Sequence, residues 1–345
     1  MMAIGSEAVS SWSGRTYVDG EMENDIIPHH PRRLTAQEEA ALEETSRESS
    51  TSTSTTQSTS TTTSTSIQSS SATVPFTNVR DLFDVIDCTT TDFLSVTDVS
   101  PSSLAEIEAE REKKQRKFRF RRYDSSSRIL LVTIPTEVHE ELHVSIYQLY
   151  MQKIASMGLR DSWRTTASGR CQSQAHFGQS SKEGDSTGGP EPERGAPTFW
   201  PTLAIEAGAS ESLGELRHDM RWWFSASNHE VKVVVLAQFD PTRSAIVIER
   251  WEEEPAEVRS VATKPQSCAV LGLPSITPSP ILRQSITITQ NTATNPVSYN
   301  VAGGPLALPF RLLFLREPRL TESDVIISVE NLESYAAKVW KRAGN

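Results

Sequence analysis

Long apolar runs are missing from this 345-residue chain. No stretch approaches the ~20 consecutive apolar residues of a membrane-spanning helix, and the N-terminus lacks the apolar segment of a secretion signal. Cysteine is scarce. Cys88, Cys171 and Cys268 lie far apart and make neither a disulfide framework nor a zinc cluster. A reducing compartment fits that usage, so the sequence predicts a soluble intracellular protein, cytoplasmic or nuclear, with no membrane association. Several nucleotide and hydrolase signatures are absent too: there is no P-loop, no G-x-G-x-x-G and no G-x-S-x-G elbow. The adjacent glycines Gly303 and Gly304 have no Lys-Ser/Thr after them and read as a turn.

Positive charge is scarce in one part only. The first 100 residues hold 5 Lys+Arg and 15 Asp+Glu of the chain's 34 and 44, so residues 101–345 carry 29 of each sign and balance. The net charge of −10 therefore belongs to the N-terminal region. The remainder has no bulk attraction for an anionic polymer. Residues 45–73 are almost all Ser and Thr. They cannot bury enough apolar surface to offset the entropy of ordering, so 1–75 is expected to be a disordered tail. A partly helical lead-in over 76–116 follows, then a folded domain over 117–345 with long loops at 160–199, where a short strand is expected just before Gly188, and at 254–283.

Within that domain the pattern is mixed. The lead-in ends in a helix over 102–117, acidic before basic as the helix dipole favours. Its basic run continues to Arg122 and reads as a solvated helix end or a phosphate contact. Strands are predicted at 117–123 and 128–134, and a helix over 136–158 carries Val138, Leu142, Ile146, Leu149 and Ile154 at helical spacing. Further on, "TLAIEA" is a strand. Ser212 and Glu215 form a capping box, and Leu213, Leu216, Met220 and Trp223 make the buried stripe of the next helix. Of Trp222 and Trp223, one is core and the other half-buried. Asn228-His229 turns the chain into the buried strand "EVKVVVLAQF", and "DPTR" turns it again. A strand at "QSITITQ", a strand or extended segment at 308–315 and a terminal helix complete the pattern. This order argues for a three-layer α/β domain around a mixed sheet.

Two constellations carry chemistry. Glu206 is a carboxylate in an apolar strand, near the strand end where open α/β sheets place ligands. With Asp185 arriving from the preceding segment, two acids suffice to hold a hard cation such as Mg²⁺. Lys232, flanked by apolar residues on the next strand, could face Glu206 as its counter-ion. A structural ion pair is the bland alternative. The second constellation is "HEELH", His139 to His143, which matches H-E-x-x-H and would put two imidazoles on one side of a helix. Glu140 would then be the general base of a zinc protease. No third ligand is visible: Ile146 and Leu149 stand where the metzincin extension needs Gly and His.

With "FRFRRYDSSSRILLVTIPTEVHEELH", "KEGDS", "PTLAIEAGASESLGELRHDMRWWF", "VKVVVL", "IERWE" and "ALPFRLLFLREP" in view, the chain from about 117 to 340 resembles a fungal protein family. Its middle block also resembles bacterial restriction-endonuclease-like families with the PD-(D/E)XK nuclease core. That resemblance implies a restriction-endonuclease-like mixed central sheet flanked by helices. It further implies Mg²⁺ or Mn²⁺ held by Asp185 and Glu206, assistance from Glu140, and a nucleic-acid substrate. The sequence departs from the pattern at two places. Gly208 stands where a lysine is expected two residues after Glu206, and Gly184 precedes Asp185 in place of proline. Arg217, Arg221 and Lys232 are the candidate replacements, of which burial favours Lys232. Three readings stay open: a metal-dependent nuclease, a non-catalytic interaction module on the nuclease scaffold, and the zinc protease.

Overall fold

A computed structural model describes residues 73–166, 169–173, 180–196, 198–254 and 278–344. The Ser/Thr-rich segment, Cys268 and most of the expected 254–283 loop lie outside these residues. The described chain begins with strand β1 (Thr73–Pro75), helix α1 (Val79–Cys88), β2 (Phe93–Thr97) and helix α2 (Pro101–Lys113). Next come β3 (Arg119–Asp124), β4 (Ile129–Thr133) and the long helix α3 (Glu137–Ser156). The segment expected to be a loop contains four short strands: β5 (Trp163–Thr165), β6 (Arg170–Gln172), β7 (Ser180–Glu183) and β8 (Ser186–Pro190). A β-α-β unit follows, made of β9 (Leu203–Gly208), α4 (Leu213–Ala226) and β10 (Val233–Asp240). The chain closes with β11 (Ala245–Glu254), β12 (Ser279–Asn291), β13 (Ser298–Ala302), β14 (Leu306–Leu308), α5 (Phe310–Phe314), β15 (Val325–Ile327) and α6 (Val329–Ala343).

The strands form two large mixed sheets, ordered β1-β2-β4-β3-β7-β6 and β13-β12-β11-β10-β9-β8-β5, with β14 and β15 as a separate pair. Each large sheet has one parallel pairing, β1 with β2 and β9 with β10; the others are antiparallel. The β9–β10 pair is parallel because α4 supplies the crossover that parallel strands require. Local chemistry sets its ends. Ser212 Oγ accepts from Glu215 N at 3.2 Å and starts α4. Asn228 and His229 both take positive φ, 50° and 65°, in the turn into β10. In both long hairpins an aspartate organises the turn: Asp124 Oδ1 accepts from Ser126 N at 2.8 Å and Asp240 Oδ1 from Thr242 N at 3.0 Å.

Strand parity sorts β9. Leu203, Ile205 and Ala207 pack into the core shared with Leu142, Ile146 and Tyr150 of α3 and with Tyr335 and Val339 of α6. Ala204 packs on the other face with Leu216, Met220 and Trp223 of α4. The seven-stranded sheet is thus the middle layer of three. Glu206 shares the parity of Ala204 and faces α4. The six-stranded sheet has its own core under α1 and α2, built on Leu82, Phe83, Ile86, Leu94, Val96 and Ile107.

The two sheets are joined directly where β7 runs into β8. The chain leaves the first sheet at Glu183 and enters the second at Ser186, so Gly184 and Asp185 sit at the seam. A Cβ on Gly184 would stand 2.9 Å from Trp223 Cζ2 and 2.6 Å from Thr187 Cγ2, so only glycine lets the indole approach. Two expectations need correction. The segment 308–315 is not one strand: after Leu308, Pro309 caps the short helix α5, and Leu315 at φ 55° ends it. Thr73–Pro75, placed in the tail by composition, pairs with Ser95–Thr97 as β1.

Candidate active site

The charges at the seam are buried. Glu206 is 1% exposed, Lys182 0%, Asp219 1%, Asp185 6%, His139 0% and Asp92 3%, so every polar atom there must be matched from within. Glu206 Oε1 accepts from Trp223 Nε1 at 2.6 Å. Its other oxygen lies 3.2 Å from Lys182 Nζ, which also reaches Asp219 Oδ2 at 2.9 Å. Arg121 binds both Asp219 and Glu211, and Arg122 Nη1 donates to Asp219 Oδ1 at 3.0 Å. The strand presents Glu206 to a buried lysine and an indole that α4 and β7 bring to it.

Burial pushes the Glu206 carboxyl up to about 7; Lys182 opposes the shift, and the charges of Asp185 and Asp219 reinforce it. Glu211 rises to about 8 by burial, with Arg121 opposing. Asp219 moves the other way, to about 2: Arg121, Lys182 and Arg122 outweigh its burial.

Asp185 has a separate set of partners. Its Oδ2 accepts from Ala207 N at 2.9 Å, while Oδ1 accepts from Arg119 Nη1 at 3.1 Å and lies 3.2 Å from His139 Nε2. Burial alone would raise this carboxyl, but His139, His143 and Arg119 hold it well below the usual range. His139 is a bridge. Its Nδ1 lies 3.2 Å from Asp92 Oδ2, and Asp92 accepts from Ala209 N at 2.8 Å and Ser210 N at 2.9 Å. Burial would lower the imidazole, but Asp185 and Asp92 bring it up to about 10. Asp92 thereby ties the β2 lead-in to the turn after β9.

Glu140, on the first turn of α3, accepts from Arg119 Nη2 at 2.6 Å. Glu140 and Asp185 therefore grip one guanidinium from two sides. Arg119 and Glu140 also line a cleft of about 1020 Å³, together with Arg111, Arg116, Lys117, Glu137 and Arg342. Asp185, Glu206 and Lys182 do not line it.

The expected carboxylate pair is divided. Extending the antiparallel register Ser186↔Ile205 by one step puts Asp185 opposite Glu206, and their charges influence each other. Yet they share no hydrogen-bond partner: Asp185 is held from α3 and β3, Glu206 from α4 and β7. Lys232 lies elsewhere. It stands beside Thr202, four residues down β9 from Glu206 and so about 13 Å away by strand rise. Its Nζ donates to His229 O at 2.7 Å. Its place opposite Glu206 is taken by Lys182, which sits in a Gly- and Ser-rich stretch that reads as loop until β7 pairs with β3 and β6. Arg217 is paired with Glu249 at 2.5 Å, and Arg221 is exposed.

The basic run 111–122 is largely matched internally. Arg111 binds Glu183 at 2.8 Å, Lys113 binds Glu110 at 2.9 Å, and Arg116, Arg119, Arg121 and Arg122 all have acidic partners. His139 and His143 are both buried.

As donors, the oxygens of Asp185 and Glu140 suit a hard cation in kind, and they already converge on one positive group. Glu206 fits less well: its Oε1 accepts from Trp223 Nε1, and its Oε2 faces the Lys182 cation at 3.2 Å, without hydrogen-bond geometry.

No protein-family model matches the chain, and no curated protein does. Among solved structures, the crystal structure of a candidate nuclease belonging to DUF820 from Anabaena variabilis aligns over 62% of this chain and 90% of its own, at 11% identity and a TM-score of 0.34. A likeness this distant assigns no role to any residue.

Among the described residues no helix is long and apolar enough to cross a membrane.

Proposed function

We propose that this chain is a restriction-endonuclease-like phosphodiester hydrolase that uses a divalent cation, Mg²⁺ or Mn²⁺, and a nucleic-acid substrate. The observation that carries the reading is the shared grip of Asp185 and Glu140 on Arg119, at 3.1 and 2.6 Å, where Arg119 and Glu140 line a cleft large enough for a nucleotide and Asp185 lies buried behind them. A cation held there would polarise a phosphodiester oxygen and supply hydroxide at neutral pH. Arg119 is placed to meet the phosphate, since it borders the cleft and is 16% exposed at its side chain. Ala207 N and His139 fix the Asp185 carboxylate. Glu206 and Lys182 lie behind it as a positioning layer, with Lys182 supplying the positive charge that Gly208 cannot.

A second reading is favoured by a specific observation: the buried acids are balanced by the chain's own cations, Lys182 on Glu206 and Arg119 with His139 on Asp185. In that reading the domain is a non-catalytic interaction module. Incubating the purified protein with labelled DNA and RNA in Mg²⁺ or Mn²⁺ separates the two. The hydrolase reading expects cleavage that disappears in Asp185→Asn and Glu140→Gln; no cleavage by the wild type, across substrates and ions, leaves the module.

A further inference from the structure

The H-E-x-x-H pattern lacked a third ligand in sequence, and the seam supplies one. We infer that His139, Glu140, His143 and Asp185 form a site for a transition-metal dication of the Zn²⁺, Co²⁺ or Mn²⁺ class, with the Arg119 guanidinium holding the place of the ion. The inference rests on the proposed function and narrows its metal away from Mg²⁺ to the transition-metal dications, and it shares Asp185 and Glu140 with that reading.

One ring nitrogen of each histidine and a Glu140 oxygen lie within 4.8 Å of one another. The imidazoles stand one helical turn apart, with centroids 5.3 Å apart. Each is anchored through Nδ1. His139 Nδ1 is 3.2 Å from Asp92 Oδ2, and His143 Nδ1 is 2.8 Å from Ser186 Oγ. Proteins orient metal-binding imidazoles in this way, tying one nitrogen to a second group so that the other is aimed at the ion.

The two Nε2 atoms are the ones left to face the carboxylates. His139 Nε2 is fully buried and faces Asp185 Oδ1 at 3.2 Å, an ion-pair contact without hydrogen-bond geometry. His143 Nε2 lies 3.4 Å from Glu140 Oε1 and 3.5 Å from Arg119 Nη1. Arg119 also touches Asp185 Oδ1 at 3.1 Å and Glu140 Oε1 at 2.6 Å, so one cation contacts three of the four donor groups. Two imidazole nitrogens and two carboxylate oxygens form a four-donor set that suits Zn²⁺, Co²⁺ or Mn²⁺, whereas Mg²⁺ takes oxygen almost exclusively. Arg119 borders the open cleft, so its side chain has somewhere to go when an ion takes its position.

The test is metal binding by the full chain without nucleic acid. Calorimetry with ZnCl₂, CoCl₂, MnCl₂ and MgCl₂ is expected to give one site per chain, with Zn²⁺ or Co²⁺ at least about 100-fold tighter than Mg²⁺. The Co²⁺ complex should absorb in the visible with the bands of nitrogen–oxygen coordination. His143→Gln and Asp185→Asn should each weaken binding by about 10-fold or more. Arg119→Gln should tighten it, because the resident cation is gone. Circular dichroism of each variant checks the fold, and Arg119→Gln keeps the test decisive if a ligand variant fails to fold. Mg²⁺ binding as tight as Zn²⁺, weaker binding in Arg119→Gln, or no bound metal would each overturn the inference. Absence of cleavage bears on the proposed function alone, since no step here depends on substrate.

Discussion

Lys182 offers the sharpest test of how the seam is held together. It is fully buried, with its ammonium 3.2 Å from Glu206 and 2.9 Å from Asp219. At such distances and an effective dielectric of about 20, each contact carries a gross attraction of roughly 5 kcal/mol. Most of that attraction offsets the cost of dehydrating three ions, so the trio adds little net stability compared with an apolar replacement. Breaking it from one side is different. Lys182→Met leaves the Asp219 carboxylate and the Glu206 carboxyl facing an alkyl chain, and removing one member of a buried ion pair costs about 3–5 kcal/mol. In a domain of this size that lowers Tm by on the order of 10 °C. Urea unfolding of Lys182→Met, Glu206→Gln and the double variant measures it. The double variant should recover part of the loss, because neutral Glu206→Gln no longer needs the lysine. A single-variant loss under about 1 kcal/mol, or strict additivity in the double, would refute the reasoning.

Three other outcomes follow from the same cluster. Glu206 and Glu211 have folded-state pKa values raised to about 7 and about 8 from 4.5, so their protonated forms favour the fold. Their contribution is fully present below pH 4.5 and is lost as pH rises through about 8; Asp92 and Asp219, lowered to about 2, lose theirs only as pH falls from 3.8 towards 2. Stability should therefore decline between mildly acid and mildly alkaline pH, and Glu211→Gln should flatten that decline in denaturation curves taken across the range. Gly184→Ala should displace Trp223, cost about 1–3 kcal/mol, and shift the tryptophan emission; an unchanged spectrum and Tm would contradict the close approach. Asp92→Ala removes the acceptor for Ala209 N, Ser210 N and His139 Nδ1, and hydrogen exchange at those two amides should rise while amides of β12 stay protected.

The β9–α4–β10 unit was legible in the sequence because its signals are local. A capping box, an apolar stripe and two turn dipeptides act within a few residues of where they sit. Trp222 and Trp223 divide as their spacing suggests: Trp223 is core, and Trp222 is half-buried with its Nε1 on Ser180 Oγ at 3.1 Å. Helix α1 was equally open to reading, since Val79, Leu82, Phe83 and Ile86 fall on one face. The charged seam was not. Lys182, Arg119, Arg121, Asp92, Asp219 and Glu211 carry no local signal of burial, because a charge is buried only when its partner arrives, and each partner here comes from a distant element. One signal was present. In "FRFRR" phenylalanines alternate with arginines, so a strand placing Phe118 and Phe120 in a core must send Arg119 and Arg121 to the opposite face together. Two arginines on one strand face call for acids across from them, and Asp185, Glu140, Asp219 and Glu211 supply those acids.

That pairing also explains why the sequence pointed to the wrong lysine. Lys232 stood out because its neighbours in sequence are apolar, but a residue at the start of a strand can turn its amine back to the preceding turn, and Lys232 does so at His229 O. Lys182 has polar neighbours and looks unremarkable, yet β7 is clamped between β3 and β6 and has no solvent to turn to. Burial is decided by a strand's place in the sheet rather than by the hydropathy of its flanks. The same rule accounts for the division of the expected acid pair. Register puts Asp185 across from Glu206, but Asp185 lies one residue outside β8, at the seam. Free of the pleat, its carboxylate goes to Ala207 N, Arg119 and His139, while Glu206, fixed within β9, is committed to the α4 face. A cation arriving from the cleft would meet Glu140 first and Asp185 behind Arg119. Glu206 could join only if Lys182 moved, and Lys182→Met removes that obstacle while leaving the Asp185 partners intact. Metal affinity in Lys182→Met therefore tells the two arrangements apart: unchanged if Glu206 stays on its own face, increased if it is drawn across to the ion.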